Sequence, residues 1–147
     1  MGCDIHLHVE IKIKGRWFCY NSPDIGRDYG LFYKLAGVRG PRLGVTPIDD
    51  PRGLPDDISA ITALNAANMD GDGHSHSYIT AEEIASLCKW AKESGRKGEP
   101  EWMDWQDSTF GYLFGNGMES WWEYPEDNKH LKELGMEDVR FVFWFDN

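Results

Sequence analysis

The sequence has no hydrophobic run of the roughly 20 residues that a membrane-spanning helix needs. Its first residues form a charged, alternating segment rather than an apolar signal region. Cysteine is scarce, because Cys3, Cys19 and Cys88 are widely spaced and form no Cys-x-x-Cys pair. A disulfide framework and a thiolate zinc site are therefore not expected. These absences predict a soluble, cytoplasmic protein that does not bind membranes.

Basic residues are also fewer than acidic ones. The chain has 15 lysines and arginines against 25 acidic residues, for a formal net charge of −10, which argues against binding to duplex nucleic acid. Residues 12–47 reverse this balance, with seven basic side chains and two acidic ones. Arg27, Arg39 and Arg42 are candidate contacts for a small phosphorylated ligand. In the competing interpretation they are solvated side chains that pair with acidic residues elsewhere.

Histidine is rare as well, yet four of the five histidines lie in two doublets, within residues 4–10 (DIHLHVE) and 72–77 (DGHSHS). Successive side chains of a strand project to opposite faces, so the first segment would place Asp4, His6, His8 and Glu10 on one face. Ile5, Leu7 and Val9 would lie on the other. We therefore expect one face of this strand to join the core and the other to carry chemistry.

Imidazole and carboxylate groups suit a divalent metal such as zinc, manganese or magnesium, or acid–base catalysis near neutral pH. The candidate catalytic and metal-binding set is Asp4, His6, His74 and His76, and the candidate ligand contacts include His8 and Ser77 besides the three arginines. In the alternative interpretation the histidines of the first doublet lie on the wet face of a sheet and bind nothing. In the second doublet, Asp72 and Ser77 would cap backbone groups of a loop over residues 70–77.

The 147 residues, 41% of them hydrophobic, predict one domain over the whole chain. Alternation and aromatic or β-branched content predict strands over 2–13, 16–21 and 138–146, with further strands within 109–124. Helices are expected over 28–36, 56–67 and 81–94, the last opened by a Thr80–Glu83 capping box. The fold class is α+β, with an antiparallel sheet that pairs the first and last strands and with helices packed on its apolar face. That pairing would bring Asp146 near one end of the histidine row.

Five sequence blocks together resemble a small protein family that is common in bacteriophage genomes. They are MGCDIH at the start, LAGVRG at 35–40, RGLPDD at 52–57, DGHSHS at 72–77 and VFWFDN at the end. The resemblance implies a phage-encoded accessory protein of the infected bacterial cytoplasm. Such proteins often blunt host defence, and several unrelated ones cut or sequester nucleotide immune signals.

Three functions follow for this sequence. In the first, the protein is a phosphodiesterase-like hydrolase of a small nucleotide or phosphorylated ligand, using the histidines with or without a divalent metal. In the second, it binds and sequesters such a ligand without cleaving it. In the third, the acidic, tryptophan-rich residues 95–128 inhibit a host protein. Homo-oligomerisation is compatible with all three.

Overall fold

An antiparallel sheet of four strands, in the order β2-β1-β4-β3, carries the fold. The computed structural model describes residues 2–69, 71–94 and 133–147. Its elements are β1 (Asp4–Ile13), β2 (Arg16–Asn21), α1 (Tyr29–Ala36), α2 (Ala60–Asn68), β3 (His74–Ile79), α3 (Ala81–Glu93) and β4 (Met136–Asp146). The strands expected within 109–124, the tryptophan-rich residues 95–128 and His130 lie outside these ranges. No helix in the described ranges is long and apolar enough to cross a membrane.

The first and last strands pair along their whole length, which confirms the predicted sheet and the α+β class. Asp4 lies opposite Asp146, His6 opposite Trp144 and His8 opposite Val142. The predicted end of α1 and the predicted start of α3 are confirmed too. Gly37, at φ 73°, ends α1, and the capping box forms at the start of α3.

The core lies on one face of the sheet, which we call the apolar face. β1 and β4 supply alternate residues to it, and α1 and α3 cover it as expected. The buried side chains are Ile5, Leu7 and Val9 of β1, Phe141, Phe143 and Phe145 of β4, Leu31, Phe32 and Leu35 of α1, and Ile84 and Leu87 of α3.

α2 differs from the expectation that every helix packs on the apolar face. It begins at Ala60 rather than at 56, and it lies against the opposite face, which carries the histidines of β1 and which we call the polar face. Ile61 and Leu64, whose spacing is that of an apolar helix face, are each 56% exposed. The helix instead buries Thr62, and the preceding Ser59 donates its backbone N–H to Glu10 at 3.0 Å. Polar contacts therefore orient α2, because the side chains of β1 on this face are polar.

A buried ion pair fixes α2 to the sheet. Glu10 is fully buried, and Arg140, on the neighbouring strand, contacts it at 2.7 and 2.9 Å. Arg140 also donates to the carboxylate of Asp57 at 2.8 Å and stacks 3.9 Å from the ring centroid of Trp17. The arginine thus links β1, β2, β4 and the segment that enters α2.

The second histidine doublet forms an edge strand, so the prediction of a loop over residues 70–77 is wrong from residue 74 onward. His74 pairs with Phe145 whereas Ser77 pairs with Phe143, so this strand contains one more residue than β4 between the two pairs. Ser75, at φ 56°, sits in this bulge. Glycine and serine are typical of loops, but hydrogen bonding to β4 makes the segment a strand.

Arg52 holds the long 38–55 loop against β3 and α3. Its guanidinium makes two hydrogen bonds of 2.6 Å to Glu83 and one of 2.8 Å to the carbonyl of Tyr78. Its backbone N–H donates to the hydroxyl of Ser77 at 3.1 Å. The Arg52 guanidinium lowers the pKa of Glu83 from its usual 4.5 to about 2.

This pair predicts an acid-sensitive part of the stability. Because the folded-state pKa of Glu83 lies below the unfolded value, its contribution is complete above about pH 4.5 and is lost as the pH falls through about 2. The shift sets an upper bound of about 3 kcal/mol, which partial solvent exposure of the pair reduces to about 2. Glu83→Gln should remove this pH dependence from the free energy of unfolding measured by urea titration between pH 2 and 6. Glu82→Gln, at a neighbouring exposed glutamate, should retain it, and equal pH dependence in the two variants would contradict the assignment.

Candidate functional site

Three imidazoles surround the indole of Trp144 on the polar face. The centroid of His8 lies 4.8 Å from that of Trp144, His76 lies 5.8 Å away and His6 lies 6.1 Å away, with interplanar angles of 20°, 30° and 18°. His6 is there because it is the cross-strand partner of Trp144. The bulge in β3 brings His76 to the same face. Both doublets thus contribute to one aromatic cluster.

Gly73 allows this close approach of β3 to the indole. A Cβ atom at residue 73 would lie 3.2 Å from Cδ1 of Trp144 and 3.3 Å from Nε2 of His76. These are tighter than ordinary carbon contacts, so a side chain here would push the strand away from the ring. The absence of a side chain at Gly73 is therefore required for His76 to pack against Trp144.

An open cavity of about 500 Å³ lies beside the cluster, and we call it the polar-face cavity. Strand β1 forms its floor, α2 one wall and the segment after β2 another. Its polar and aromatic lining comes from Asp4, His6, His8, Ser22, Asp24, Asn65 and Trp144. Its volume is that of a site for a small ligand.

His6 is the best-placed acid–base group in this cavity. Its Nε2 lies 2.9 Å from Oδ2 of Asp146, and its side chain is 36% exposed. In the neutral imidazole, Nε2–H donates to the carboxylate and leaves a lone pair on Nδ1. Nδ1 has no hydrogen-bond partner among the described residues. A carboxylate-oriented, accessible imidazole can take a proton from water or from a ligand.

His8 differs from His6 because it is only 4% exposed. Burial lowers its pKa, against the opposing charge of Glu10, so the ring is held in its neutral form. The amide nitrogen of Asn65 lies 3.0 Å from Nε2, which places the ring proton on Nδ1. Nδ1 of His8 and Nε1 of Trp144 are buried without a hydrogen-bond partner in the described part of the chain. Such donors favour an ordered water or an acceptor atom of a ligand.

Asp4 and Arg27 pair with each other beside the cavity. The guanidinium contacts the two carboxylate oxygens at 2.7 and 3.3 Å and lowers the pKa of Asp4. Arg27 is therefore near the predicted site, and Asp4 stays ionised there. Burial lowers the pKa of His76, with a smaller contribution from the neighbouring His74.

His74 lies apart from His6, His8 and His76. Its ring stacks on Phe145, a residue of the apolar face, with a centroid distance of 6.2 Å. The bulge at Ser75 turns the two histidines of the doublet to opposite faces, so the structure does not bring Asp4, His6, His74 and His76 to a common point. In the described ranges, no group of three or more histidine, cysteine or acidic side chains is placed to hold a metal ion. A metal site stays a prediction.

The remaining candidates lie elsewhere. Arg39 stacks on Tyr29 at 5.1 Å and, with His74, lines a second cavity. Arg42 is half-buried in the 38–55 loop and is not among the described residues that line either cavity. Ser77 is 2% exposed and accepts the backbone N–H of Arg52.

Sequence reasoning missed Trp144 and Asn65. A signal for Trp144 was available, because the antiparallel pairing that brings Asp146 to the histidine row also brings residue 144 beside it. Asn65 gave no such signal, since only the placement of α2 on the polar face brings it to His8.

Comparison with known proteins gives no relative. No protein family model, no curated protein and no solved structure matches this chain.

Proposed function

We propose that the polar-face cavity binds a small nucleotide or other phosphorylated ligand and hydrolyses it as a phosphodiesterase does. The observation that carries this proposal is the 2.9 Å contact between His6 and Asp146 at the cavity, which leaves Nδ1 of His6 as a base. Water attacks phosphorus while passing a proton to Nδ1. The ester P–O bond breaks, and solvent protonates the leaving oxygen.

Arg27 is the proposed phosphate contact. It pairs with Asp4, which lines the cavity, and its planar guanidinium can bridge a carboxylate and a phosphate. His8 and Trp144 also line the cavity, and each has a buried N–H group without a hydrogen-bond partner in the described part of the chain. Where a divalent ion takes part, Asp4 and His6 are its candidate ligands in this cavity.

The resemblance to the phage family suggests a particular class of ligand. On that basis we propose that the protein is phage-encoded and that the ligand is a nucleotide immune signal of the infected bacterium, so that hydrolysis would blunt host defence. The third function, inhibition of a host protein by residues 95–128, depends on residues outside the described ranges.

Sequestration is the second candidate function. It is favoured by the buried, neutral His8 stacked on Trp144, because aromatic stacking and unsatisfied donors give affinity without any chemistry. In that case the ligand would leave the protein unchanged.

A panel of cyclic and linear nucleotides distinguishes the two functions. The protein is incubated with each nucleotide with and without chelator, heat-denatured, and the supernatant analysed by mass spectrometry. Hydrolysis predicts that one nucleotide is consumed, and loss of consumption with chelator would show that a metal takes part. Sequestration predicts full recovery of intact ligand. It also predicts that a ligand concentration of 100 times the dissociation constant raises the free energy of unfolding by about 2.7 kcal/mol. Neither consumption nor stabilisation across the panel would overturn both proposals.

A further inference from the structure

A second cavity, of about 570 Å³, lies at the same end of the sheet, near the C-terminus of α1 and on the side away from the polar-face cavity. Its polar lining comes from Arg39, Asp50, His74, Ser75 and Asn147. The hydrolase proposed above makes no use of these side chains.

Three of them form a hydrogen-bonded chain. Oγ of Ser75 lies 3.0 Å from Nδ1 of His74, and Nε2 of His74 lies 3.2 Å from Oδ1 of Asn147. Because Oδ1 can only accept, Nε2 must carry the ring proton in the neutral imidazole. Nδ1 then accepts from the hydroxyl of Ser75. In this tautomer, His74 can act as the base that takes the proton of Ser75. The hydrogen bond to Asn147 stabilises this tautomer.

The backbone at Ser75 is unusual for a serine. Its φ of 56° lies in the left-handed region, which glycine adopts more easily. Arg39, on the same cavity, has a φ of 61°. Non-glycine residues in this region cost free energy and cluster at functional sites. At Ser75 this conformation keeps the hydroxyl beside His74 at the cavity.

We propose that the second cavity is an esterase site in which Ser75 is the nucleophile, His74 the base and Asn147 a positioning residue. Oγ of Ser75 attacks the carbonyl carbon of a small carboxylic ester as its proton passes to Nδ1 of His74. The C–O bond to the alcohol breaks, and the alcohol leaves with that proton. Water then attacks the acyl-serine, returning a proton through Nδ1 to Oγ, and releases the carboxylic acid. The guanidinium of Arg39, which lines this cavity, can contact an anionic group of the ester. This inference does not rest on the proposed phosphodiesterase.

Covalent labelling with a fluorophosphonate tests the proposal. Mass spectrometry of the digested protein should locate the adduct on Ser75, and p-nitrophenyl acetate should give a burst of nitrophenol stoichiometric with the protein. Ser75→Gly should abolish both without lowering the unfolding temperature, because glycine accepts this φ. Ser86→Ala, at an exposed serine of α3, is the matched control and should label normally. An adduct on another residue, no adduct at all, or normal labelling of Ser75→Gly would overturn the assignment.

Two further variants test the roles of the neighbours. His74→Ala should slow labelling by roughly 100-fold or more. Asn147→Ala should slow it less and change the pH profile of the labelling rate, and Asn147→Asp should restore the rate, because its carboxylate also accepts from Nε2. An unchanged rate in His74→Ala would contradict a general base, and an unchanged pH profile in Asn147→Ala would contradict its positioning role.

Discussion

Turnover of the nucleotide is expected to fall by about 100- to 10,000-fold when His6 is replaced by alanine, because the reaction loses its general base. The Michaelis constant should change less, since phosphate binding is assigned to Arg27. Asp146→Asn should give a smaller loss, because an amide holds the imidazole less firmly than a carboxylate at 2.9 Å. The measurement is the initial rate of consumption of the nucleotide that the panel selects.

Lys12→Ala provides the control for this experiment. Lys12 lies on the same strand and face as His6, beyond Glu10 and beside Trp17. It should retain the wild-type rate. Thermal unfolding of each variant separates lost chemistry from lost structure. A rate in His6→Ala within a factor of about two of wild type would contradict the proposed base, because general-base catalysis contributes far more than that.

The largest expected effect on stability follows from Arg140→Met, which should cost about 3–5 kcal/mol in the free energy of unfolding. The reason is that Glu10 is fully buried and would keep a negative charge without its cation. Loss of the contacts to Asp57 and Trp17 would add to the cost by releasing the entry to α2. Urea unfolding followed by circular dichroism measures the change.

The double variant Glu10→Leu/Arg140→Met should recover most of that loss, because an apolar pair of similar volume has no unpaired charge to bury. The difference between the double variant and the sum of the single ones gives the coupling energy. A cost below about 1 kcal/mol for Arg140→Met would place the pair in the class of exposed ion pairs and contradict its structural role.

The central sheet was predictable because its signals are local. β1 alternates strictly, β4 is rich in aromatic and β-branched residues, and a Lys14-Gly15 turn joins β1 to β2. The antiparallel pairing that places Asp146 beside His6 follows from them, and it is confirmed at 2.9 Å. Both members of the proposed acid–base pair, His6 and Asp146, were therefore accessible from sequence.

The position of α2 was not predictable from its pattern. Ile58, Ile61 and Leu64 have the spacing of an apolar helix face, but spacing cannot say which face of a sheet the helix covers. The ion pair of Glu10 and Arg140 decides this, and it joins residues 130 positions apart. The hydrogen bond from Asn65 to His8 depends on the same placement.

The placement of His74 and His76 on opposite faces could not be predicted from the sequence, for a different reason. The sequence predicted a loop over residues 70–77 whose two histidines join one site, and even in a regular strand two residues at spacing i, i+2 would share a face. The left-handed Ser75 adds a residue to β3 opposite β4 and breaks that alternation. Nothing in the local pattern of a serine between two histidines indicates a bulge.

The most direct test of the polar-face site is a nuclear magnetic resonance titration of the histidine rings. The protein is labelled with ¹⁵N-histidine and titrated with a phosphorothioate analogue of the nucleotide that the panel selects. We expect the free protein to show His6 with its proton on Nε2, and the ring signals of His6 and His8 to shift on binding while those of His74 stay in place. Shifts confined to His74, or none at any of the three rings, would contradict a ligand site on the polar face.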